Sequence, residues 1–219
     1  MIHPPGVASL LLFNDLTPML AVSILIAVLI GMTVHEFAHN YVGHLMGDPV
    51  PAREGRLTLD PMVHIYWPGF IMFVLIGFGI LGSAPISPQR MRNPRWGYLA
   101  AVAAGPFSNL LIAAIFALPY RLLAGSNDSV ELFLYMIVFW NVLLFIFNLI
   151  PLFPIDGWHI VLALLPPDLA EIWQRNAQTT QYVFLGLLLL SFFPIFPINI
   201  FGLLIGDPTF FIIRTLLGL

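Results

Sequence analysis

His35-Glu36-Phe37-Ala38-His39 lies within an apolar stretch, residues 17–45, that is long enough to cross a lipid bilayer as a helix. Residues four apart share one face of a helix, so both imidazoles of this pentapeptide can reach a single ion. An ionisable side chain in a spanning helix costs about 2.5–3.5 kcal/mol on insertion scales. The presence of Glu36 therefore predicts a use for its charge, and a bound zinc ion would offset the cost.

A polar cluster at a helix–helix contact, or a proton relay, is the simpler alternative, and neither requires a metal. Cysteine is absent from the 219 residues, so a zinc ion would have to be held by imidazole and carboxylate groups. That ligand set favours a catalytic site over a structural one.

The composition is that of an integral membrane protein. Hydrophobic residues make up 59% of the chain and charged residues 9%, a balance that a water-soluble domain of this size would not tolerate at its surface. The eight basic residues, all arginine, and the 11 acidic residues give a net charge of −3, so no nucleic-acid partner is expected. We expect a multi-pass protein of the cell membrane.

Four apolar runs are long enough to cross about 30 Å of hydrocarbon, which requires about 20 helical residues. They are residues 17–45, 96–120, 131–152 and 179–205. A fifth run, 67–83, is shorter, and its four glycines make a weak helix that suits a re-entrant hairpin, although a crossing is left open. The prediction is an all-α polytopic membrane protein, a bundle of about 4–6 transmembrane helices with a re-entrant segment.

Two polar stretches, 47–66 and 83–95, connect these runs, and neither is long enough to form a separate domain. Alternating residues at 56–60 predict a short β-strand near the active site, and 84–88 is a second candidate. With no internal repeat, the chain is predicted to be a single membrane-embedded domain, 1–219. Its core would be about residues 17–165, with additional C-terminal helices at about 179–219.

A catalytic zinc ion generally has three protein ligands, so an acidic residue must join the two histidines. Most acidic residues lie in polar connections, whereas Asp156 lies in Asn148-Leu-Ile-Pro-Leu-Phe-Pro-Ile-Asp156-Gly157. The two prolines remove helical hydrogen bonds, and irregular backbone at membrane depth is tolerated only inside protein or beside a wet cavity. Asp156 is therefore the candidate third ligand. The alternative is an aspartate that caps a helix at the membrane surface.

Three motifs together resemble those of the site-2 protease family of intramembrane zinc metallopeptidases. They are His35-Glu-Phe-Ala-His39, Gly105-Pro-Phe-Ser-Asn109 and Asn148-x-x-Pro-x-x-Pro-x-Asp156-Gly157. The resemblance runs from about residue 30 to residue 165 and agrees in order and spacing. It implies that zinc is bound by His35, His39 and Asp156 while Glu36 activates the water. It also implies that Asn109 and Asn148 contact the substrate.

The chemistry is consistent with this resemblance. Zinc lowers the pKa of its bound water to about 7 and polarises the scissile carbonyl. Glu36 would take the proton from that water and pass it to the leaving amine, a step typically worth about 10²–10⁴-fold in rate. Asn109 or Asn148 could stabilise the oxyanion, and the alternative for either is an interhelical hydrogen bond. His159, three residues after Asp156, could be a partner of the ligands or a substitute ligand.

The predicted function is an intramembrane zinc endopeptidase that cuts a transmembrane protein substrate within the lipid bilayer, with a regulatory partner left open. A metal-ion or proton transporter using the same cluster is the alternative, and the lack of pseudo-repeated halves disfavours it. A catalytically inactive scaffold that binds transmembrane helices is a third interpretation, which the intact Glu36 disfavours.

Overall fold

The structure is a computed structural model that describes residues 17–77, 79–82, 84–192 and 202–219. Ten α-helices lie in these residues: α1 (Pro18–Leu45), α2 (Val50–Arg53), α3 (Pro61–His64), α4 (Trp67–Ile76), α5 (Pro94–Leu123), α6 (Asp128–Asn148), α7 (Asp156–Leu164), α8 (Pro167–Arg175), α9 (Ala177–Phe192) and α10 (Asp207–Leu217). A 3₁₀ turn spans Pro88–Arg90 and a π-helix spans Gly202–Gly206.

Three of the described helices, α1, α5 and α6, are long and apolar enough to cross a membrane. They coincide with the predicted runs 17–45, 96–120 and 131–152, so the chain is an all-α membrane protein, as its composition indicates. The helix α9 is shorter, at 16 residues. The rest of the predicted run 179–205 lies partly outside the described residues.

Polar side chains set where the three long helices begin. Thr17, Asn93 and Asn127 each accept a hydrogen bond from a backbone N–H in the first turn of α1, α5 and α6. The helices α5 and α6 are joined by a tight turn in which Gly125 has a φ of 75° and donates its N–H to Glu131. Because that turn is short, α5 and α6 run antiparallel.

The helices α1, α5 and α6 pack against one another and form the core. Lipid is as apolar as a leucine side chain, so close van der Waals packing between small residues matters more here than hydrophobic burial. Small residues accordingly lie fully or almost fully buried where these helices meet, among them Ala27, Ala101, Ala113 and Ala117.

The segment that contains α4 folds back on itself. Its helix is ten residues long, too short to cross the bilayer, and ends at Gly77 with a φ of 76°. The returning chain then pairs with the start of the segment: Tyr66 donates its N–H to the carbonyl of Leu81 at 2.8 Å, and Ile65 and Gly82 form an isolated antiparallel bridge. Both ends of the segment therefore lie side by side, as in the predicted re-entrant hairpin.

Two glycines allow the arms of this hairpin to touch. A methyl group on Gly69 would overlap the carbonyl oxygen of Ile80, and one on Gly79 would overlap the carbonyl oxygen of Gly69. The backbones are in contact at both places, so any larger residue would push the arms apart.

The strands predicted at 56–60 and 84–88 are not among the described elements. Side chains occupy the backbone groups that a strand would use: His64 donates to the carbonyl of Thr58 at 2.6 Å, and Asp48 accepts the N–H of Ser87 at 2.6 Å. Such local bonds compete with strand pairing. The isolated bridge between Ile65 and Gly82 is the strand-like contact nearest to the prediction.

The helix α7 is held at both ends. At its C-terminus, Arg95 donates hydrogen bonds of 2.8–3.0 Å to the carbonyls of Ala163, Leu164 and Leu165. At its N-terminus, a methyl group on Gly157 would overlap the carbonyls of residues 149 and 150. The first residue of α7, Asp156, therefore has a defined position relative to α5 and α6.

Single cysteines at Glu54, Gln89 and Ser126 test the fold-back, since the chain has no native cysteine and all three positions are exposed. A membrane-impermeant maleimide should label positions 54 and 89 from the same side and position 126 from the opposite side, because α5 crosses once and the hairpin returns. Labelling of positions 54 and 89 from opposite sides would show that the hairpin segment crosses instead.

Candidate metal centre

Two histidines of α1 and the first residue of α7 converge on one point. His35 Nε2 lies 2.9 Å from His39 Nε2, and Asp156 Oδ2 lies 3.0 Å from the first and 3.2 Å from the second. The histidines are one helical turn apart, and their rings meet edge to face. The structure thus brings together the three side chains predicted as ligands.

The cluster is enclosed by protein. His35 and His39 are 3% and 4% exposed, and the Asp156 side chain is 20% exposed. Burial alone would raise the pKa of the Asp156 carboxyl, but positive charge at the two imidazoles beside it holds that pKa below its ordinary value. Asp156 is therefore a carboxylate anion at neutral pH.

The outer nitrogens of both imidazoles face hydrogen-bond acceptors on α5. His39 Nδ1 lies 2.8 Å from the carbonyl oxygen of Ala101, and His35 Nδ1 lies 2.7 Å from Oδ1 of Asn109. A neutral imidazole that donates from Nδ1 has its lone pair on Nε2. Both Nε2 lone pairs are thus directed at the carboxylate of Asp156.

A buried chain of amides fixes the orientation of Asn109. Its Nδ2 donates to the carbonyl of Gly31 and to Oδ1 of Asn141, each at 3.0 Å, and Asn141 Nδ2 donates to the carbonyl of Ile137 at 2.9 Å. Because backbone carbonyls can only accept, both amide orientations are determined. Asn109 must present its oxygen to His35.

Asn109 therefore differs from its predicted role as a substrate contact. Both of its N–H groups are used within the protein and the residue is 0% exposed, so its amide orients a histidine. Asn141, also 0% exposed, was missed by the sequence analysis. The one available signal was an amide in the otherwise apolar run 131–152.

The donor set of this cluster fits a metal ion. Three acceptor atoms this close repel one another unless a cation, either a proton or a metal ion, lies among them. Ligand atoms on a tetrahedral zinc ion with bonds of 2.0–2.1 Å are about 3.3 Å apart, close to the separations seen here. Among the described residues, these three are the one group of histidine and acidic side chains with such convergence.

Glu36 lies beside the cluster with an unpaired oxygen. The residue is 3% exposed, and its Oε2 has no hydrogen-bond partner among the described residues. Gly82, on the returning arm of the hairpin, packs against the carboxylate, since a methyl group there would lie 2.5 Å from Oε1. A buried carboxylate without a partner is costly, so a ligand or a water would be favoured at this oxygen.

All four side chains line one cavity of about 440 Å³. The returning arm of the hairpin lines part of this cavity, and Tyr98, Asn148 and His159 line it as well. Asn148 donates one N–H to the carbonyl of Leu144 at 2.9 Å and reaches the cavity, as its predicted substrate contact requires.

Gly105 of α5 lies against the Nε2 atoms of both imidazoles. A methyl group at this position would overlap His39 Nε2 and would lie 2.8 Å from His35 Nε2. The glycine of the Gly-Pro-Phe-Ser-Asn motif is therefore explained by packing, since it lets the backbone of α5 contact the ligand face of α1.

The chain resembles known zinc metalloproteases in sequence. The model of peptidase family M50 matches residues 123–191. "Putative zinc metalloprotease YwhC" of Bacillus subtilis is 32% identical over 180 residues, which cover 78% of this chain and 81% of the relative. "Putative zinc metalloprotease Rip2" of Mycobacterium tuberculosis is 29% identical over 177 residues, covering 76% of this chain and 65% of the relative. No solved structure matches the chain.

Gly105→Ala tests the contact between α5 and the histidines. The added methyl group should destabilise the protein by about 1–3 kcal/mol, as overpacking does, and should displace an imidazole and abolish stoichiometric metal binding. Gly186→Ala is the matched control, because among the described residues no atom outside the local helix backbone lies within 4 Å of a methyl group at that position. Thermal unfolding in detergent and elemental analysis measure both effects. Unchanged metal content in Gly105→Ala would contradict the packing described here.

Proposed function

The chain belongs to peptidase family M50 and is a zinc metalloprotease; from this premise we propose that it hydrolyses a peptide bond within or near a transmembrane segment of a membrane-protein substrate. The observation behind this proposal is that His35, His39, Asp156 and Glu36 line one cavity, and that both histidines and Glu36 lie on α1, a helix long and apolar enough to cross a membrane. The lipid bilayer is then the environment of both enzyme and substrate.

In the proposed mechanism His35, His39 and Asp156 hold the zinc ion. When bound, zinc acidifies a water molecule and polarises the scissile carbonyl. The protein orients the two imidazoles. Ala101 and Asn109 accept the Nδ1 protons and so keep both Nε2 lone pairs directed at the metal position. Asp156 supplies the negative charge.

Glu36 is proposed as the general base. It takes a proton from the attacking water with its unpaired oxygen and passes that proton to the leaving amine. The carboxylate is held against Gly82 and next to the ligands, so little rearrangement precedes proton transfer. Proton transfer by a positioned group typically contributes about 10²–10⁴-fold.

The substrate is proposed to bind along the part of the cavity lined by residues 79–82, Ala84 and Ile86. A transmembrane helix hides its carbonyls in its own hydrogen bonds, so it must unwind locally before hydrolysis. Residues 84–87 are not helical, and Ala84 and Ile86 line the cavity, so an unwound segment could pair with this stretch by strand addition. Asn148, which also lines the cavity, could bind the same segment.

We further propose a multi-pass protein of the cell membrane built as the single domain 1–219, with its site nearer the cytosol. Five of the eight arginines lie after α1 and up to Arg95, the second residue of α5. An arginine excess marks the cytoplasmic side. A metal-ion or proton transporter with the same cluster is not favoured, since the relatives are named as proteases. No nucleic acid is involved in this function, and a regulatory partner is left open.

Metal analysis with three variants tests the proposal. Wild type and Glu36→Gln should each hold about one zinc ion, whereas His39→Ala and Asp156→Ala should lose it because the remaining two ligands bind weakly. Synthetic single-span transmembrane peptides, with a fluorophore and a quencher at opposite ends, should be cut by wild type and at least about 10²-fold more slowly by Glu36→Gln.

Cleavage by Glu36→Gln at the wild-type rate would remove Glu36 from the mechanism. Active wild-type protein without a stoichiometric transition metal would overturn the metal site itself.

Ile86→Pro tests strand addition at the cavity wall. Proline removes the N–H of residue 86, which donates to the carbonyl of Ala84 at 2.9 Å and which would exchange that partner for a carbonyl of an extended substrate. Cleavage of the same peptides should fall by about tenfold or more with unchanged zinc content. Ile86→Ala, which keeps the N–H, is the control, and equal loss in both variants would assign the effect to the side chain.

A further inference from the structure

A second pair of polar side chains lies in the cavity and takes no part in the mechanism above. Tyr98, near the start of α5, and His159, in the first turn of α7, meet with their Oη and Nδ1 atoms 2.8 Å apart. Both line the cavity that contains Glu36 and the three ligands. The pair therefore lies in the same cavity as the position proposed for a scissile bond.

The chemistry of this pair determines what it presents to the cavity. A phenol is a good donor and a weak acceptor, whereas an imidazole nitrogen is a good acceptor, so Tyr98 donates to Nδ1. His159 then carries its proton on Nε2. In the part of the chain that the structure describes, Nε2 has no protein hydrogen-bond partner.

The ring of His159 is held in place by neighbours on two elements. Its centroid lies 4.9 Å from that of Trp158 and 6.0 Å from those of Phe153 and Tyr98, all at steep angles. Burial lowers the pKa of His159, which lies outside the three spanning helices, so its imidazole is neutral at neutral pH. His159 thus contributes a fixed, neutral imidazole with an N–H donor to the lining of the cavity.

The reaction requires N–H donors for the oxygen that becomes negatively charged, and the amides near the site have few unused N–H groups. Negative charge develops on the carbonyl oxygen of the cleaved bond, and preorganised donors stabilise it. Asn109 uses both N–H groups inside the protein, and Asn148 already gives one to the carbonyl of Leu144. The N–H of His159 is not used in this way.

We propose that His159 is a catalytic residue that donates its Nε2–H to the carbonyl oxygen of the scissile bond, and that Tyr98 is a positioning residue that fixes the imidazole tautomer. The hydrogen bond strengthens as the oxygen gains charge, and no proton is transferred. This inference rests on the proposed peptidase function and extends it with a subsite for the main-chain carbonyl.

The test uses full-length protein in detergent and the transmembrane peptides described above. His159→Leu should lower kcat by about 10²–10³-fold with KM and zinc content nearly unchanged, the loss typical of an oxyanion donor. His159→Gln, whose amide N–H can replace Nε2–H, should recover at least tenfold of that loss. Such a rescue would not be expected if the residue only packed α7 against α5.

Tyr98→Phe is the second variant of this test. It removes the hydroxyl and keeps the ring, so kcat should fall by about tenfold with KM unchanged. In a His159→Leu background it should have no further effect, since Tyr98 acts through His159. Tyr120→Phe is the matched control on the same helix, because its hydroxyl contacts Glu131 and does not line the cavity.

The outcomes distinguish a failure of this inference from a failure of the proposed peptidase function. If Glu36→Gln abolishes cleavage while His159→Leu and Tyr98→Phe each change kcat by less than threefold, the carbonyl subsite is wrong and the peptidase stands. If His159→Leu loses zinc in proportion to activity, His159 is a ligand and the inference is overturned. If Glu36→Gln retains full activity, the peptidase mechanism fails first.

Discussion

Three acceptor atoms, from His35, His39 and Asp156, lie within 3.2 Å of one another inside the protein. In a medium of low dielectric constant, their lone pairs repel one another and their polar groups have lost water, so the arrangement is stable only around a cation. A cation bound by three ligands from α1 and α7 also links two helices that are far apart in the sequence. Metal binding and folding are therefore expected to be thermodynamically coupled in this chain.

The rest of the core is arranged to keep those atoms in place. His35 bonds to Asn109 and His39 bonds to Ala101, so the two contacts lie in opposite order along α1 and α5 and fix these helices as antiparallel. A shift of one residue along either helix would break both bonds at once. Asn141 of α6 adds the third helix through its bond to Asn109, and the small residues Gly31 and Gly105 permit the close approach. Packing and ligand orientation are thus achieved by the same contacts.

The sequence predicts that His35 and His39 converge, because the spacing of four in His35-Glu36-Phe37-Ala38-His39 has one geometric consequence on a helix. The family resemblance is confirmed, and the fold-back after Trp67 follows from the glycines of that segment. The pattern that predicted strands at 56–60 and 84–88 does not show that side chains such as His64 and Asp48 bind the backbone groups that strand pairing would use. The role of Asn109 depends on the carbonyl of Gly31 and on Asn141, which are distant in sequence and belong to no motif.

The walls of the cavity differ in chemistry, and this difference separates reaction from recognition. The ligands and Glu36 come from α1 and α7, whereas residues 79–86 contribute backbone and apolar side chains alone to the described part of the wall. Backbone groups can bind any unwound peptide, so selectivity would arise from apolar side chains such as Ile80 and Ile86. Under the proposed function, substitutions in the hairpin would change which transmembrane segments are accepted without moving a ligand. Gly82 is the exception, because its contact with Glu36 joins the hairpin to the catalytic carboxylate.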